Sequence, residues 1–388
     1  MSSEILNWTE SPSIDESIEK YEVHEYEPVA GTKLNNAGEI RINIELQDLM
    51  THPAESYIQF EGRLTKADGT AYANTDAVAL TNNGLMYLFQ RITYQLSNQE
   101  IESVYYPGQA TTMLGMLKYP DDFAKAQGLN QLWTKDTTAT AVIAENTGFG
   151  VRQAHLIRKP TVKGTFSFIV PLKHIFGFCD DYDKIVYGFK HTLTLVRKSD
   201  DDAIFRANAA GAGKVNIDRI SWLMPHVDPA DMAKMQLYKT IETKVKLPVA
   251  FRARQCETTT ILPSTTFSWR LSVRTASEKP RYIIVGFQTE KDGDQEKNPS
   301  IFDHCDLKNM YIMLNQDRYP AVDYNLSFPN QQFSRAYRDA TTFSEKFYGM
   351  NDLITQSNIA PADYKELFPL MVFDLSKQCE RLKSSVVD

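Results

Sequence analysis

Histidine serves both metal binding and proton transfer, and this chain of 388 residues carries seven histidines. They lie at His24, His52, His155, His174, His191, His226 and His304. Two histidines that bind one metal are commonly separated by one or three residues, and no pair here has either spacing. We therefore predict no metal site, no cofactor and no catalytic residue.

Two other segments resemble ligand-binding loops but lack essential parts. The segment NAAGAGKV at 208–215 lacks the first glycine of a phosphate loop and the hydroxyl residue after Lys214, so we predict a flexible turn. The acidic run SDDDA at 199–203 could hold a divalent cation, but a hairpin tip with solvated acids is the favoured interpretation. The chain has no GxSxG motif and no neighbouring Cys–His pair, although a pair assembled in space stays open. These features predict that the protein is not an enzyme.

Four arginines form the one basic pattern that could bind a partner or a polyanion. Arg252, Arg254, Arg270 and Arg274 occupy the polar positions of alternating segments. Alternating positions of this kind usually form the solvated face of a strand, and we favour that interpretation.

The acidic residues are concentrated at the N-terminus. Residues 1–30 hold eight acids and one base, and the rest of the chain balances at 41 acids against 41 bases. The body therefore has no basic excess of the kind that binds nucleic acid. We predict that residues 1–37 form a solvated, disordered acidic arm, and attraction to a basic partner is the alternative.

The cysteines and the apolar segments indicate the compartment in which the chain is synthesised. Cys179, Cys256, Cys305 and Cys379 are far apart, which predicts free thiols in a reducing compartment. No signal peptide and no run of 18 apolar residues is present, so we expect synthesis inside the cell and no transmembrane segment.

Strand patterns dominate the elements that would position these residues. They fall at 41–46, 56–64, 187–196, 215–224, 245–251, 267–273 and 282–287. Alternation places Leu46 on the apolar face of the first, and Tyr187 and Phe189 on that of the third. In 215–224 the apolar phase changes between Ile217 and Ile220, which predicts a β-bulge near Asp218 and Arg219.

Helical patterns are few. Asp228 and Pro229 predict the start of a helix at about 229–240, which we interpret as a linker. Aromatic residues recur at helical spacing over 333–347 and predict a helix with a core-facing stripe. A shorter helix is predicted near 110–118, and the segments 120–160 and 290–304 are predicted loops.

Two hairpin patterns about 217 residues apart indicate an internal repeat. They are ITYQLSNQEIES at 92–103 and MYIMLNQDRYPA at 310–321, and each precedes a helical pattern and then an apolar strand. We predict an all-β fold of two tandem antiparallel jelly-roll β-sandwiches with short inserted helices. The predicted domains are an acidic arm at 1–37, a first jelly roll at 38–227, a linker helix at 228–243 and a second jelly roll at 244–388.

Four sequence blocks carry a family resemblance. They are KYEVHEYEPVAG (20–31), LTNNGLMYLFQRITYQLSNQEIESV (80–104), QATTMLGMLKYPDDF (109–123) and LKNMYIMLNQDRYP (307–320). With the tandem repeat and the linker helix, the chain resembles the double jelly-roll major capsid proteins of Polinton-like (Maverick or adintovirus-type) DNA viruses and of related elements in animal genomes.

The resemblance implies a structural protein of the virion. Three copies would form a pseudo-hexagonal capsomer of an icosahedral shell, with neighbouring capsomers, penton proteins and minor capsid proteins as partners. The loops 120–160 and 290–304 would form outer towers or contacts between subunits. No sequence-specific nucleic-acid binding and no cofactor is implied.

The two halves differ after the last repeated strand. The first half continues for 56 residues beyond Val170 with two further strands, whereas 14 residues follow Asp374. We therefore expect the second jelly roll to be truncated and to have unprotected strand edges. The alternative to a capsid protein is a carbohydrate- or ligand-binding jelly-roll protein, which predicts a concave aromatic groove.

Overall fold

The computed structural model describes residues 17–35, 37–46, 48, 50–159, 161–244, 248–272, 280–314, 316–349 and 358–377. The strands up to the linker are β1 (Ile18–Tyr26), β2 (Glu39–Ile44), β3 (Met50–Thr51), β4 (Tyr57–Lys66), β5 (Val78–Leu80), β6 (Phe89–Leu96), β7 (Gln99–Tyr105), β8 (Thr165–Pro171), β9 (Val186–Tyr187), β10 (His191–Arg197), β11 (Ile204–Arg206) and β12 (Gly213–Pro229). The later strands are β13 (Tyr282–Val285), β14 (Ile312–Leu314), β15 (Asp317–Tyr319) and β16 (Met371–Asp374). We call residues 17–230 the first half and residues 248–377 the second half.

Short helices interrupt the strands. They are α1 (Gly84–Tyr87), α2 (Pro107–Lys118), α3 (Thr147–Leu156), α4 (Leu172–Ile175), α5 (Gly177–Asp181), α6 (Asp231–Glu242), α7 (Ser334–Thr341), α8 (Phe343–Tyr348) and α9 (Pro361–Glu366). The helix predicted at about 229–240 is present as α6, but it begins at Asp231 because Pro229 still belongs to β12. Among the described residues, no helix is both long and apolar enough to cross a membrane.

The first half is a jelly roll of two antiparallel four-stranded sheets. One has the order β1–β12–β4–β8, with the short strands β3 and β9 alongside, and the other has the order β2–β10–β6–β7. Alternating apolar side chains of both sheets, such as Ile42, Phe60 and Leu193, are fully buried between them. The predicted all-β sandwich fold is confirmed.

Local details of the predicted strands are partly right. The ladder between β12 and β4 shifts register between Ile217 and Arg219, which confirms the predicted bulge. Leu46 lies after the end of β2 and is exposed, so its predicted place on the core face is wrong. Phe189 is exposed as well, because the left-handed Gly188 separates β9 from β10 and breaks the alternation.

The acidic arm is not a disordered tail where it is described. Residues 18–26 form β1, which pairs with β12 over Tyr26↔Trp222 to Ile18↔Pro229. In addition to the backbone ladder, Arg219 Nη2 forms ion pairs with Glu25 Oε1 at 2.9 Å and with Glu27 Oε1 at 2.8 Å. The first jelly roll therefore includes residues before the predicted boundary at residue 38.

The second half repeats part of this plan. The antiparallel pair β13–β16 corresponds to β4–β8, and the hairpin β14–β15 corresponds to β6–β7. The strands predicted at 245–251 and 267–273 do not form over 248–251 and 267–272, and Val245, Leu247 and Val273 lie outside the described residues.

These two segments have no partner strand among the described residues, as a comparison with the first half shows. In the first half β1 pairs only with β12, and β2 pairs only with β10. Within the described part of the second half, no strand takes the place of β10 or β12. In the segment 267–272, the N–H of Ser272 donates instead to a side chain, Glu257 Oε2, at 3.2 Å.

The predicted loop at 120–160 and the predicted helix at 333–347 differ in part from the structure. The segment 120–160 contains α3, and Trp133, Phe149 and Arg152 within it are buried, so it is not an excursion loop. The predicted helix at 333–347 is divided into α7 and α8 at Thr342. Its apolar side, including Phe333 and Phe343, lies in the core of the second half as predicted.

Candidate functional site: the interface between the two halves

The predicted candidates for chemistry do not meet in one site. Four histidines gather at one end of the first jelly roll, but each contacts a tyrosine, a threonine, an aspartate or another histidine. His24 stacks on His226 with ring centroids 4.0 Å apart, His52 contacts Asp183, and His191 contacts Tyr94 and Thr51. Within the described ranges, no group of three or more His, Cys, Asp and Glu residues could hold a metal ion.

The acidic run at 199–203 is a structural corner rather than a solvated hairpin tip. Asp202 is buried, pairs with Lys198 and accepts a hydrogen bond from Gly293 N at 2.7 Å. Asp200 pairs with Arg197 at 2.7 Å. These carboxylates are satisfied by local cations and by the second half, so the predicted solvated tip is wrong.

The predicted glycine-rich turn at 208–215 is also fixed by the second half. Gly213 donates its N–H to Gln295 Oε1 at 2.8 Å, and Gln295 Nε2 donates to Gly213 O at 3.0 Å. Gln295 lies in the segment predicted as the loop 290–304 and is buried. The predicted turn at 208–215 and the predicted loop at 290–304 therefore both take part in the contact between the halves.

Arg252 and Arg254 lie at the start of the second half, where the chain packs against the first half. We call residues 252–254 the crossing segment. The guanidinium of Arg252 donates to both carboxylate oxygens of Asp181, at 2.5 and 2.9 Å, and lies 3.5 Å from the centroid of the Phe347 ring. Although burial opposes the charge of Asp181, the bonds from Arg252 outweigh it and lower the pKa of that carboxyl. The predicted solvated face is wrong for these two arginines, and Arg274 lies outside the described residues.

One carboxylate, Asp180, is shared by two cations from different parts of the chain. Its Oδ2 accepts from Lys118 Nζ at 2.5 Å and from Arg254 Nη2 at 2.8 Å. Burial and the neighbouring charge of Arg254 lower the pKa of Lys118 to about 8, although Asp180 opposes the change. Lys118 is therefore a buried cation whose charged form is disfavoured by its surroundings.

Glu102 fixes the path of the crossing segment. This buried carboxylate accepts from Gly177 N and Phe178 N, at 3.0 and 2.9 Å, at the start of α5. Its Oε1 also accepts from Arg254 N at 2.7 Å. Burial raises the pKa of Glu102, while Arg254 and the three amides favour its charged form.

A second polar cluster joins the predicted loops. Arg152 Nη2 donates to Asp136 Oδ1 at 2.7 Å, and both side chains are fully buried. Arg152 also donates to the backbone carbonyls of Leu80 and Thr134, and Asn146 donates to Asp136 at 2.8 Å. From the second half, Asn298 Nδ2 donates to Asp136 Oδ2 at 2.8 Å.

Apolar packing completes the interface. Met116 and Leu117 of α2, together with Trp133, belong to the hydrophobic core of the second half rather than the first. A Cβ on Gly115 would lie 2.4 Å from the Trp133 ring, so the close approach of α2 to this tryptophan requires glycine. The two halves thus share a core, which favours one rigid unit.

Sequence analysis missed this interface because its polar pairs are far apart in the chain. Asp136 and Asn298 are separated by 162 residues, and Glu102 and Arg254 by 152. The available signal was the presence of Asp136 and Arg152 in otherwise weakly patterned loops. Such charges carry no periodicity that would mark them as buried.

The second half also contains a small aromatic pocket of about 190 Å³. Tyr282, Tyr319 and Phe343 line it together with Arg335 and Asp339. Their polar groups are partly engaged, since Arg335 Nη1 donates to Val322 O at 2.9 Å. This is the feature that a ligand-binding protein would use.

The fold and the shared core define a double jelly-roll protein. The chain belongs to the double jelly roll-like domain family, whose model matches residues 78–388. No curated protein matches the chain.

Several solved viral structures align with this chain at low sequence identity. A chain of the Sputnik virophage structure aligns with a TM-score of 0.56 and 10% identity, covering 96% of this chain and 80% of that one. The mavirus major capsid protein aligns with a TM-score of 0.47 and 11% identity, covering 97% and 83%. The Faustovirus major capsid protein aligns with a TM-score of 0.38 and 10% identity, covering 61% and 58%.

Proposed function

We propose that the protein is a structural major capsid protein of a Polinton-like virus or of a related element in an animal genome. The observation that carries the proposal is the fusion of two jelly-roll halves through one buried interface. A rigid subunit with two comparable halves can present six comparable sides after threefold association. The fold shared with the Sputnik virophage chain supports the same role.

In this proposal three copies form a pseudo-hexagonal capsomer, and capsomers tile an icosahedral shell. Penton and minor capsid proteins would be further partners, and the virion would be the site of action. Binding would come from extended lateral surfaces rather than from a few charges. No enzymatic step is part of the proposal.

The domain limits are also a proposal. We place the first jelly roll from β1 to β12, the linker at α6, and a second jelly roll over 244–388. The four described strands of the second half, together with the absence of a described strand over 248–251 and 267–272, support an incomplete second sandwich. A structure of residues 244–388 closed by eight strands would refute the incompleteness.

The oligomeric state tests the capsid proposal. Size-exclusion chromatography with light scattering should give a mass of three chains, with larger species at higher concentration. The variant Asn298→Ala, which removes the hydrogen bond from Asn298 to Asp136 between the halves but keeps the Arg152–Asp136 pair, should lose assembly before it loses secondary structure. A well-folded chain that stays monomeric at all concentrations would contradict the proposal.

The aromatic pocket supports one alternative function, the binding of a small polyhydroxylated ligand such as a sugar. Aromatic rings with a few polar groups are common in such sites. Calorimetric titration with a panel of simple sugars would test it, with Arg335→Ala as the variant that should lose binding. Sugar binding by a strict monomer would favour this alternative over the capsid role.

A further inference from the structure

The two outer strands of the larger sheet of the first jelly roll each have one edge with no described strand beside it. Among the described strands, β1 pairs only with β12, and β8 pairs only with β4. Because the sheet order is β1–β12–β4–β8, these edges lie on opposite sides of one sheet. An open edge presents unpaired amides that can pair with another strand.

The backbone groups that face outward can be assigned for β8. Leu64 N donates to Gly164 O and Leu172 N donates to Ser56 O, which makes the pairs 64/164 and 56/172 hydrogen-bonded pairs of the ladder. Such pairs alternate in an antiparallel ladder, so the amides of Ser167 and Ile169 point away from β4. No backbone partner of these two residues is found in the part of the chain that the structure describes.

The same reasoning assigns the outward groups of β1. His52 N donates to Pro225 O, so the backbone of Pro225 faces β3 rather than β1. Val23 is opposite Pro225, and its amide therefore points away from β12. Tyr21 and Glu25 share this orientation by alternation.

The side chains at the two edges are complementary. On β1, Tyr21 and Val23 are about half exposed, at 47% and 48%, and Glu19 is an exposed acid without an ion pair among the described residues. Such apolar exposure on a strand indicates a surface that becomes covered in an assembly.

The β8 edge borders a groove of about 350 Å³. Ala126, Leu129 and Phe168 give it an apolar wall, and His155 and Lys159 also line it. Lys159 Nζ donates to the carbonyl of Thr165 at the start of β8. Arg158, which precedes Lys159 in the chain, is exposed, and no ion pair to this arginine occurs within the described ranges. The groove therefore suits an extended segment that is apolar on one face and acidic.

We propose that β1 of one copy adds to the β8 edge of a second copy, antiparallel to it, so that the sheet continues from one chain to the next. Strand addition of this kind derives its affinity from backbone hydrogen bonds and its specificity from pockets for side chains. The contact joins two different surfaces, so it generates a ring or a continuing array rather than a closed pair. The proposal deepens the capsid function and rests on it.

Proline substitutions at the outward amides test the contact. Val23→Pro removes an N–H that takes no part in the β1–β12 ladder, and Ile169→Pro does the same for β8. Because this contact would close the three-chain ring, each variant, with one competent edge, should stay monomeric alone. A mixture of the two should form a species with the mass of two chains, because the intact β1 of one variant fits the intact β8 of the other.

The controls separate this contact from folding and from the capsid role. His24→Pro removes a ladder amide of β1 and should loosen the strand itself, which circular dichroism and hydrogen exchange would reveal. If folded Val23→Pro and Ile169→Pro chains assemble like the unmodified chain, the edge contact is wrong while the capsid role stands. If the mixture stays monomeric, the edge contact is also wrong. If the unmodified chain never associates, both proposals fail.

Discussion

The guanidinium of Arg152 donates to the carboxylate of Asp136 across 2.7 Å, and neither side chain has any exposed surface. The second oxygen of the same carboxylate accepts from Asn298 of the other half. A buried ion pair of this kind is costly unless all of its hydrogen bonds are made. Here it ties the geometry of one half to the position of the other.

Breaking this pair should strongly destabilise the protein. Arg152→Met leaves the Asp136 carboxylate buried without its cation, and we expect a loss of about 3–5 kcal/mol in the free energy of unfolding. Urea unfolding followed by fluorescence measures it. Lys125→Met, which removes the exposed Lys125–Asp121 pair, is the control and should change little. Equal losses in both variants would contradict the role given to the buried pair.

A side chain at Gly177 should displace the crossing segment. A Cβ there would lie 1.8 Å from Arg252 O, so Gly177→Ala must push this backbone away from α5. We expect a loss of about 1–3 kcal/mol in stability, as for other overpacked sites, and faster hydrogen exchange at the amide of Arg254. At Gly150 an added Cβ makes only ordinary contacts from 3.4 Å, so Gly150→Ala is the matched control. Unchanged exchange at Arg254 in Gly177→Ala would contradict the prediction.

Lys118 should give the stability a distinctive dependence on pH. Its pKa is about 8 in the folded protein against 10.5 ordinarily, because burial and Arg254 disfavour its charge. Between these values the unfolded chain binds more protons, so the contribution of Lys118 to stability rises as pH increases through this window. Lys118→Met should lack this rise when unfolding is compared at about pH 7 and about pH 9.5. Parallel changes in both proteins would contradict it.

Hydrogen exchange should show an alternating pattern along β1. In the isolated chain, the amides of Glu22 and His24 lie in the ladder with β12 and should be protected, whereas those of Tyr21 and Val23 should exchange quickly. Exchange resolved to single residues measures this pattern. Uniformly fast exchange over 18–26 would mean that this segment is a disordered arm, as the charge pattern alone predicted.

The strands that were predicted correctly have regular local patterns and partner strands in the described chain. The alternation of Ile42 and Ile44, the bulge near Asp218 and the hairpin at 92–103 all depend on local patterns, and all are present. The segment 267–272 has an equally regular alternation but no partner strand among the described residues, so alternation alone did not make it a strand. A ladder needs two strands, and periodicity reports only one of them.

The interface between the halves could not be predicted in the same way. Arg252 and Arg254 occupy sequence positions that are typical of a solvated strand face. In the folded chain they pair with Asp181 and Asp180 of α5 and become part of the interface. A charged side chain can be buried when an opposite charge pairs with it. When that partner is distant in the chain, local sequence patterns do not reveal the burial. The same reason explains why the segment 120–160 was predicted to be a loop.

Electron microscopy of the purified chain tests the central claim most directly. At high protein concentration, the capsid proposal predicts three-chain particles with a pseudo-hexagonal outline that associate laterally into sheets or shells. Class averages should resolve six comparable lobes, two for each chain. Dispersed single chains with two lobes, under conditions in which the protein is fully folded, would contradict the proposal.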